Sequence, residues 1–282
     1  MIDRILAPLD GTRAAEAGLY WAEYAARRCR ASVHLFTVLD RPDIHANGHL
    51  EKAQDYLQTQ AESLRSRGVT VEHDVAAGPA AEFILAQANA SDLTVMTYGT
   101  SRWLFGGVLD RVLQEMTRPL VVVRASPGKA PAPVEVRKVL VPLDSASYSG
   151  GVLPVAQTVA EAMGAPLVLC HTVAPVGHYR DPAEAPPGVA HAMQALLDDA
   201  HSFLSRTAED LQAQGFAVES VVSLGDAAQE INRLAGRCGA GLIAMATRSR
   251  AHLDQRVMGS IANSVVQSSH IPCLLTRPGE RS

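Results

Sequence analysis

Short apolar runs alternate along this chain with longer stretches of helical period. In the first half the runs cover residues 4–9, 32–39, 69–75, 93–98 and 120–124, each rich in Val, Ile, Leu or Thr, and they predict five strands. Between the second and third runs, Ala53, Leu57, Gln60, Ala61 and Leu64 share a helical face, and Gly68 stands where a helix-terminating glycine belongs. The second half repeats the pattern, with Met193, Leu196, Leu197, Ala200, Leu204 and Leu211 as the stripe and Gly215 in the place of Gly68. Such alternation implies right-handed crossovers. The fold class is therefore α/β: two tandem Rossmann-like domains, each a five-stranded, mostly parallel sheet with helices on both faces. In sheets of this kind ligands bind beyond the carboxyl ends of the strands, where strand order reverses.

The halves are copies. Ile5-Leu-Ala-Pro-Leu-Asp10 is answered by Val139-Leu-Val-Pro-Leu-Asp144 at an offset of 134 residues. Val71-Glu72 and Gly78 match Val218-Glu219 and Gly225, and Tyr98-Gly-Thr100 matches Met245-Ala-Thr247, at 147. The thirteen extra residues fall in 174–188, where Pro175, Pro182, Pro186 and Pro187 argue for a loop, either a lid over a nearby site or a passive insertion. Residues 126–133, rich in proline and small side chains, read as a linker. The expected domains are 1–126 and 137–282, joined by 127–136.

Composition narrows the function. Of 282 residues 47% are hydrophobic and 19% charged, and the net charge of -4 divides evenly, so no nucleic-acid or acidic-lipid partner is expected. No apolar run approaches the roughly 18 residues of a membrane span, and no signal-peptide pattern precedes the first strand, so a cytoplasmic protein is expected. Cys29, Cys170, Cys238 and Cys273 are widely spaced and read as reduced thiols.

Candidate chemistry lies at the strand ends. Asp10 and Asp144 each close a first strand, where a carboxylate meets a ribose, a metal ion or a helix N-terminus; capping is the plainer alternative. In the second half Met245-Ala-Thr-Arg-Ser-Arg-Ala-His252 is followed by Gly259-Ser-Ile-Ala-Asn-Ser-Val-Val266, a small-residue loop leading into a helix. Unpaired first-turn amides there suit anionic oxygens, and Arg248, Arg250 and Arg256 add charge. A surface loop with solvated arginines is the alternative.

The two V-P-L-D-like strands and the late Gly-Ser before a helix leading to Ile271-Pro-Cys-Leu-Leu275 resemble the universal stress protein family, once per half over nearly the whole chain. Members that bind ATP carry Gly, two residues, Gly, nine residues, then Gly followed by Ser or Thr. Ala246, Ser249, Gly259 and Ser260 reproduce the spacing with two glycines replaced. The resemblance implies the adenine nucleotide alpha hydrolase-like version of the fold and ATP, with magnesium, as ligand of the second half. Pro142, Leu143 and Asp144 would meet the adenosine or a metal bridge, Thr172 and Val173 the adenine, and Gly225 the floor. Met245, Ala246, Thr247, Arg248, Ser249 and Arg250 would wrap ribose and phosphates, with Gly259, Ser260 and Ile261 supplying amides and a hydroxyl. ATP, AMP, a cyclic nucleotide or no nucleotide at all stay open.

In the first half, matching Gly99 to Ala246 makes the phosphate loop six residues shorter, with Gly107 in place of the hydroxyl and Trp103 and Phe105 in the turn. One nucleotide site per chain is expected. The aromatics either pack inward or close the pocket. The family's subunits commonly pair through the last strand, which implies an intrachain pseudo-dimer here, with a homodimer and unidentified protein partners open. No G-x-x-x-x-G-K-[ST] is present, so P-loop enzymes are excluded, and no G-x-G-x-x-G follows a strand, so a dinucleotide-binding domain is not expected. No catalytic or metal site is assigned: the expectation is a stress-response regulator, with an interaction scaffold or a slow ATPase as alternatives. His45 and His49 lie four apart around a helix-start signal, and His171 is a gate or a wall of the adenine site.

Overall fold

The computed structural model describes residues 1–39, 48–99, 107–125, 135–144, 149–247 and 258–277. They divide into two compact units at Glu135/Val136. The first runs β1 (Arg4–Pro8), α1 (Arg13–Cys29), β2 (Ser32–Leu39), α2 (His49–Ser66), β3 (Val71–Ala77), α3 (Ala80–Asn89), β4 (Leu93–Tyr98), α4 (Val108–Glu115) and β5 (Leu120–Arg124). The second runs β6 (Val139–Pro142), α5 (Leu153–Met163), β7 (Leu167–Val173), α6 (Pro187–Ala213), β8 (Val218–Leu224), α7 (Ala227–Cys238), β9 (Leu242–Ala246), α8 (Ser260–Ser268) and β10 (Cys273–Thr276). Strand order is β3-β2-β1-β4-β5 in one and β10-β9-β6-β7-β8 in the other, and every pairing within them is parallel.

Three sequence boundaries move. The third strand starts at Val71 and reaches Ala77, because Val69 is occupied in closing α2, its amide bonding the Leu64 carbonyl at 3.2 Å. Pro187 and Gly188 belong to α6, since proline suits the first helical turn, where an amide would have no partner. Leu196, placed in the buried stripe by periodicity, is 46% exposed, because it sits at the edge of a helix face whose buried residues are Met193, Ala200 and Leu204.

Register aligns the halves more finely than residue identity does. Ile5 pairs with Leu93 and Val139 with Leu242, so Leu93 corresponds to Leu242, an offset of 149 rather than 147. The two additional residues lie in α7, which has 12 against 10 in α3. Val71 and Val218 keep the offset of 147.

Burial of α1 against β4 rests on one glycine. A β-carbon on Gly18 would lie 2.8 Å from Oγ1 of Thr97, which itself donates to the Ala15 carbonyl at 3.1 Å. In the second unit the corresponding residues are Val152, fully buried, and Ala246. Volume has moved from strand to helix.

On the α3 face a polar chain crosses the strands. Arg4 donates to Nδ1 of His34 at 3.1 Å and pairs with Glu72 at 3.3 Å, while Nε2 of His34 meets Asp74 at 3.0 Å. Guanidinium groups only donate, so Nδ1 carries the lone pair and the ring is neutral, with Nε2–H donating to Asp74. Burial lowers the His34 pKa, against the opposing hydrogen bond to Asp74 and with help from the Arg4 charge.

Two outcomes follow. Gly18→Val is expected to destabilise the chain by about 1–3 kcal/mol in urea unfolding, and Thr97→Ala on the same chain should recover part of the loss. For His34 the unfolded state binds the proton more readily than the folded state. Its contribution is thus complete above about pH 6.5 and is lost as pH falls through that value toward the lower folded pKa. The melting temperature of wild type should therefore fall more steeply from about pH 7.5 to 5.5 than that of His34→Gln, whose amide offers one acceptor and one donor without titrating.

Candidate functional site

In each unit the direction of chain growth reverses between a first and a fourth strand, β1 and β4 or β6 and β9. The carboxyl ends of β6 and β9 therefore diverge into separate connections and leave room above the pair. Around this point the second unit gathers most of the described candidate residues.

From β6, Pro142 is half-buried and the Leu143 amide bonds the Cys170 carbonyl at 2.8 Å, so pairing continues one residue past the strand. Asp144 follows, half-buried, with Oδ1 shielded from solvent. At the end of β7 the Thr172 hydroxyl meets the Ser223 hydroxyl at 3.0 Å, and the Val173 carbonyl accepts the Gly225 amide at 3.0 Å. Gly225 turns the chain at φ +156°, where a β-carbon would come 3.0 Å from Cγ of Glu230. Asp226 then caps α7, accepting from the Gln229 amide at 3.0 Å.

At the end of β9, Met245 is buried and Ala246 does not lie at positive φ. Alanine there carries no backbone strain. Thr247 is 2% exposed, and both its amide (2.7 Å) and its hydroxyl (3.2 Å) donate to the Thr276 carbonyl. Its side chain thus joins β9 to β10. Beyond it, Arg248, Ser249, Arg250 and Arg256 lie outside the described residues.

The sheet end is completed by α8. Gly259 is its N-cap and provides no side-chain bond, and its carbonyl accepts the Asn263 amide at 2.9 Å. The amides of Ser260, Ile261 and Ala262 precede the first intrahelical bond and point out of the helix end, with Ser260 exposed and Ile261 45% exposed. By contrast α1 and α7 are capped by Thr12 and Asp226.

The first unit treats the same position differently. Oδ1 of Asp10 accepts from both the amide (2.9 Å) and hydroxyl (2.6 Å) of Thr12, and Thr12 Oγ1 accepts from the Ala15 amide at 3.2 Å. Asp10 orients a cap. Glu16, in the first turn of α1, accepts from Tyr56 at 3.3 Å, and it corresponds at the 134 offset to Gly150. Two acids therefore flank the end of β1. Strand register also corrects the loop comparison: Ala246 corresponds to Thr97, not Gly99. Nine positions separate Thr97 from Gly106 against thirteen between Ala246 and Gly259, so the first loop is four residues shorter rather than six. Residues 100–106, with Trp103 and Phe105, lie outside the described residues, as does His45.

His171 turns toward α6, its ring edge-on to Phe203 with centroids 6.3 Å apart. It is a wall of the α6 packing rather than part of the strand ends. Burial pushes the Cys170 and Cys273 thiols up to about 12, so neither is a nucleophile at neutral pH. Sequence inspection passed over Thr12, Ser223 and Asp226; for Asp226 the signal was a carboxylate just before a helical period. Thr247→Val is expected to lower stability by about 0.5–1.5 kcal/mol in urea unfolding, through loss of the bond to Thr276.

Comparison with known proteins bears on both units. The model of the universal stress protein family matches residues 1–124 and again 135–277. A universal stress protein from Archaeoglobus fulgidus DSM 4304 shares the fold with a TM-score of 0.77 at 19% identity, over 98% of each chain. A putative universal stress protein from Pseudomonas aeruginosa UCBPP-PA14 gives 0.69 at 19% identity, over 98% of this chain and 94% of that one. None of the curated proteins matches. Among the described residues no helix is long and apolar enough to cross a membrane.

Proposed function

We propose, on the premise that the chain belongs to the universal stress protein family in both of its halves, that it is a regulator whose second unit binds an adenine nucleotide. The observation that carries this is the pairing of an open helix end with a carboxylate. The first-turn amides of α8 and the exposed Ser260 stand at the same sheet end as Asp144, whereas the corresponding end of the first unit carries a second acid, Glu16, in the first turn of α1. Unpaired amides and a helix dipole favour phosphate oxygens, and a carboxylate beyond β6 favours ribose hydroxyls or the magnesium that accompanies a triphosphate. The missing glycine at 246 does not count against this, since alanine sits there without positive φ.

In this reading Leu143, Thr172, Val173 and Gly225 offer main-chain groups and surface to the adenosine. Ser260 and Ile261 offer amides to the phosphates. Gly225 and Gly259 keep side chains out of the approach. Arg248 and Arg250 are assigned to the phosphates by charge and position. ATP with magnesium is the first ligand to test, and ligand occupancy is the signal passed to partners.

A second reading, an interaction scaffold without nucleotide, is favoured by Thr247, whose hydroxyl serves Thr276 instead of a ligand. Calorimetric titration with MgATP separates the two. Asp144→Ala and Ser260→Ala should each weaken ATP binding by about tenfold or more, and Asp10→Ala should leave it unchanged. Equal losses from Asp10→Ala would contradict a single site, and no heat or thermal shift with wild type would favour the scaffold.

A further inference from the structure

The thirteen-residue insertion is folded and sits at the sheet end assigned to nucleotide. It leaves β7 directly after Val173, whose carbonyl holds the Gly225 amide. Val176 and Tyr179 form an antiparallel bridge across a tight turn with Gly177 at φ +65°. Within the turn the rings of His178 and Tyr179 stack, centroids 4.1 Å apart and planes at 34°. Asp181 accepts from the Ala183 amide at 2.8 Å and caps a short 3-10 turn, Pro182–Glu184, which packs on α6.

The helix that follows reaches the same end. The 147 offset places Ser66 on Ala213 and His49, the first residue of α2, on Leu196, and α6 begins nine residues before that, at Pro187. Crossover helices run against their strands, which sets this extension past the carboxyl ends of β7 and β8. At 1.5 Å per residue it rises by about 13 Å, close to the reach of a nucleoside. The 3-10 turn braces it. His178 and Arg180 are exposed and Tyr179 half-buried, so the aromatic pair is anchored on one side and open on the other.

We propose that residues 174–195 form a recognition wall for the nucleotide, in which the stacked His178 and Tyr179 receive the face of a purine base. Arg180 adds a cation beside the stack. The proposal rests on the nucleotide reading above and adds to it a determinant of base preference. Stacking on an aromatic side chain is worth most to the larger purine ring system and asks for no hydrogen-bonding pattern.

The test uses the full-length chain. MgATP and MgUTP are titrated into wild type, Tyr179→Ala and the double variant His178→Ala/Tyr179→Ala, with melting temperature as the folding control. ATP affinity is expected to fall by about tenfold in the double variant, and the preference for ATP over UTP to shrink. Should the variants not fold, tryptic cleavage after Arg180 in wild type decides: MgATP slows it if the wall receives the base. Folded variants that bind ATP within about twofold of wild type, or cleavage unaffected by bound ATP where they do not fold, overturn the wall and leave the nucleotide reading standing. Wild type that binds no ATP overturns both.

Discussion

The reversal of strand order is the constraint on which the rest depends. A parallel sheet built from right-handed crossovers grows in one direction until the chain returns to its first strand and starts on the other side. Here that return pairs β4 with β1 and β9 with β6. The helices before and after it fall on opposite faces, so the connections leaving the two central strands separate. Space at that end is a consequence of topology, whatever side chains surround it. The N-termini of the helices collect there too, because each helix runs back against its strands.

Both units obey this constraint, and they fill the resulting space in opposite ways. In the first, Asp10 orients the cap of α1, and Glu16 adds a second acid in the first turn, held by Tyr56. In the second, glycine replaces that acid at position 150 and α5 begins later, after the 3-10 turn Ser149–Val152, while α4 and α8 alike start at a glycine without a side-chain cap. The first unit thus carries one more acid at this end than the second, which makes it the less favourable of the two for an anion. Extra chain has accumulated at that end of the second unit, in the insertion after β7.

The alternation of apolar runs made the architecture legible, because strand and helix periods differ and the repeat shows each signal twice. Ser32–Leu39, Leu93–Tyr98 and Leu120–Arg124 emerge at their observed limits. What periodicity misread was position rather than pattern. Leu196 has the spacing of a buried residue but sits at the edge of the face on which Met193, one turn nearer the N-terminus, is fully buried. The loop comparison failed for a related reason: Gly99 resembles the family glycine in type, while register is set by the strand pairing that brings Thr97 to that place. Of the site, Asp144 and Gly225 were legible as an acidic and a small residue at strand ends, and Ser260 as the start of a helix. The engagement of Thr247 was not, since a threonine after a strand gives no sign of which way its hydroxyl points.

The position of Ala246 shows how interior packing and ligand chemistry share one residue. In the first unit the equivalent threonine touches the space that Gly18 leaves open, and its hydroxyl bonds α1. In the second, the buried Val152 occupies the place of Gly18 and its turn packs on β9, so only a small side chain fits opposite. The size limit at 246 therefore comes from the helix side of the sheet. Glycine would meet that limit but remove a β-carbon from a strand end and loosen the backbone, at a cost of about 0.5–1 kcal/mol. Alanine satisfies the packing, needs no positive φ, and keeps the carboxyl end of β9 stiff beside the open first turn of α8. Its departure from the family's glycine is thus a consequence of how this unit packs.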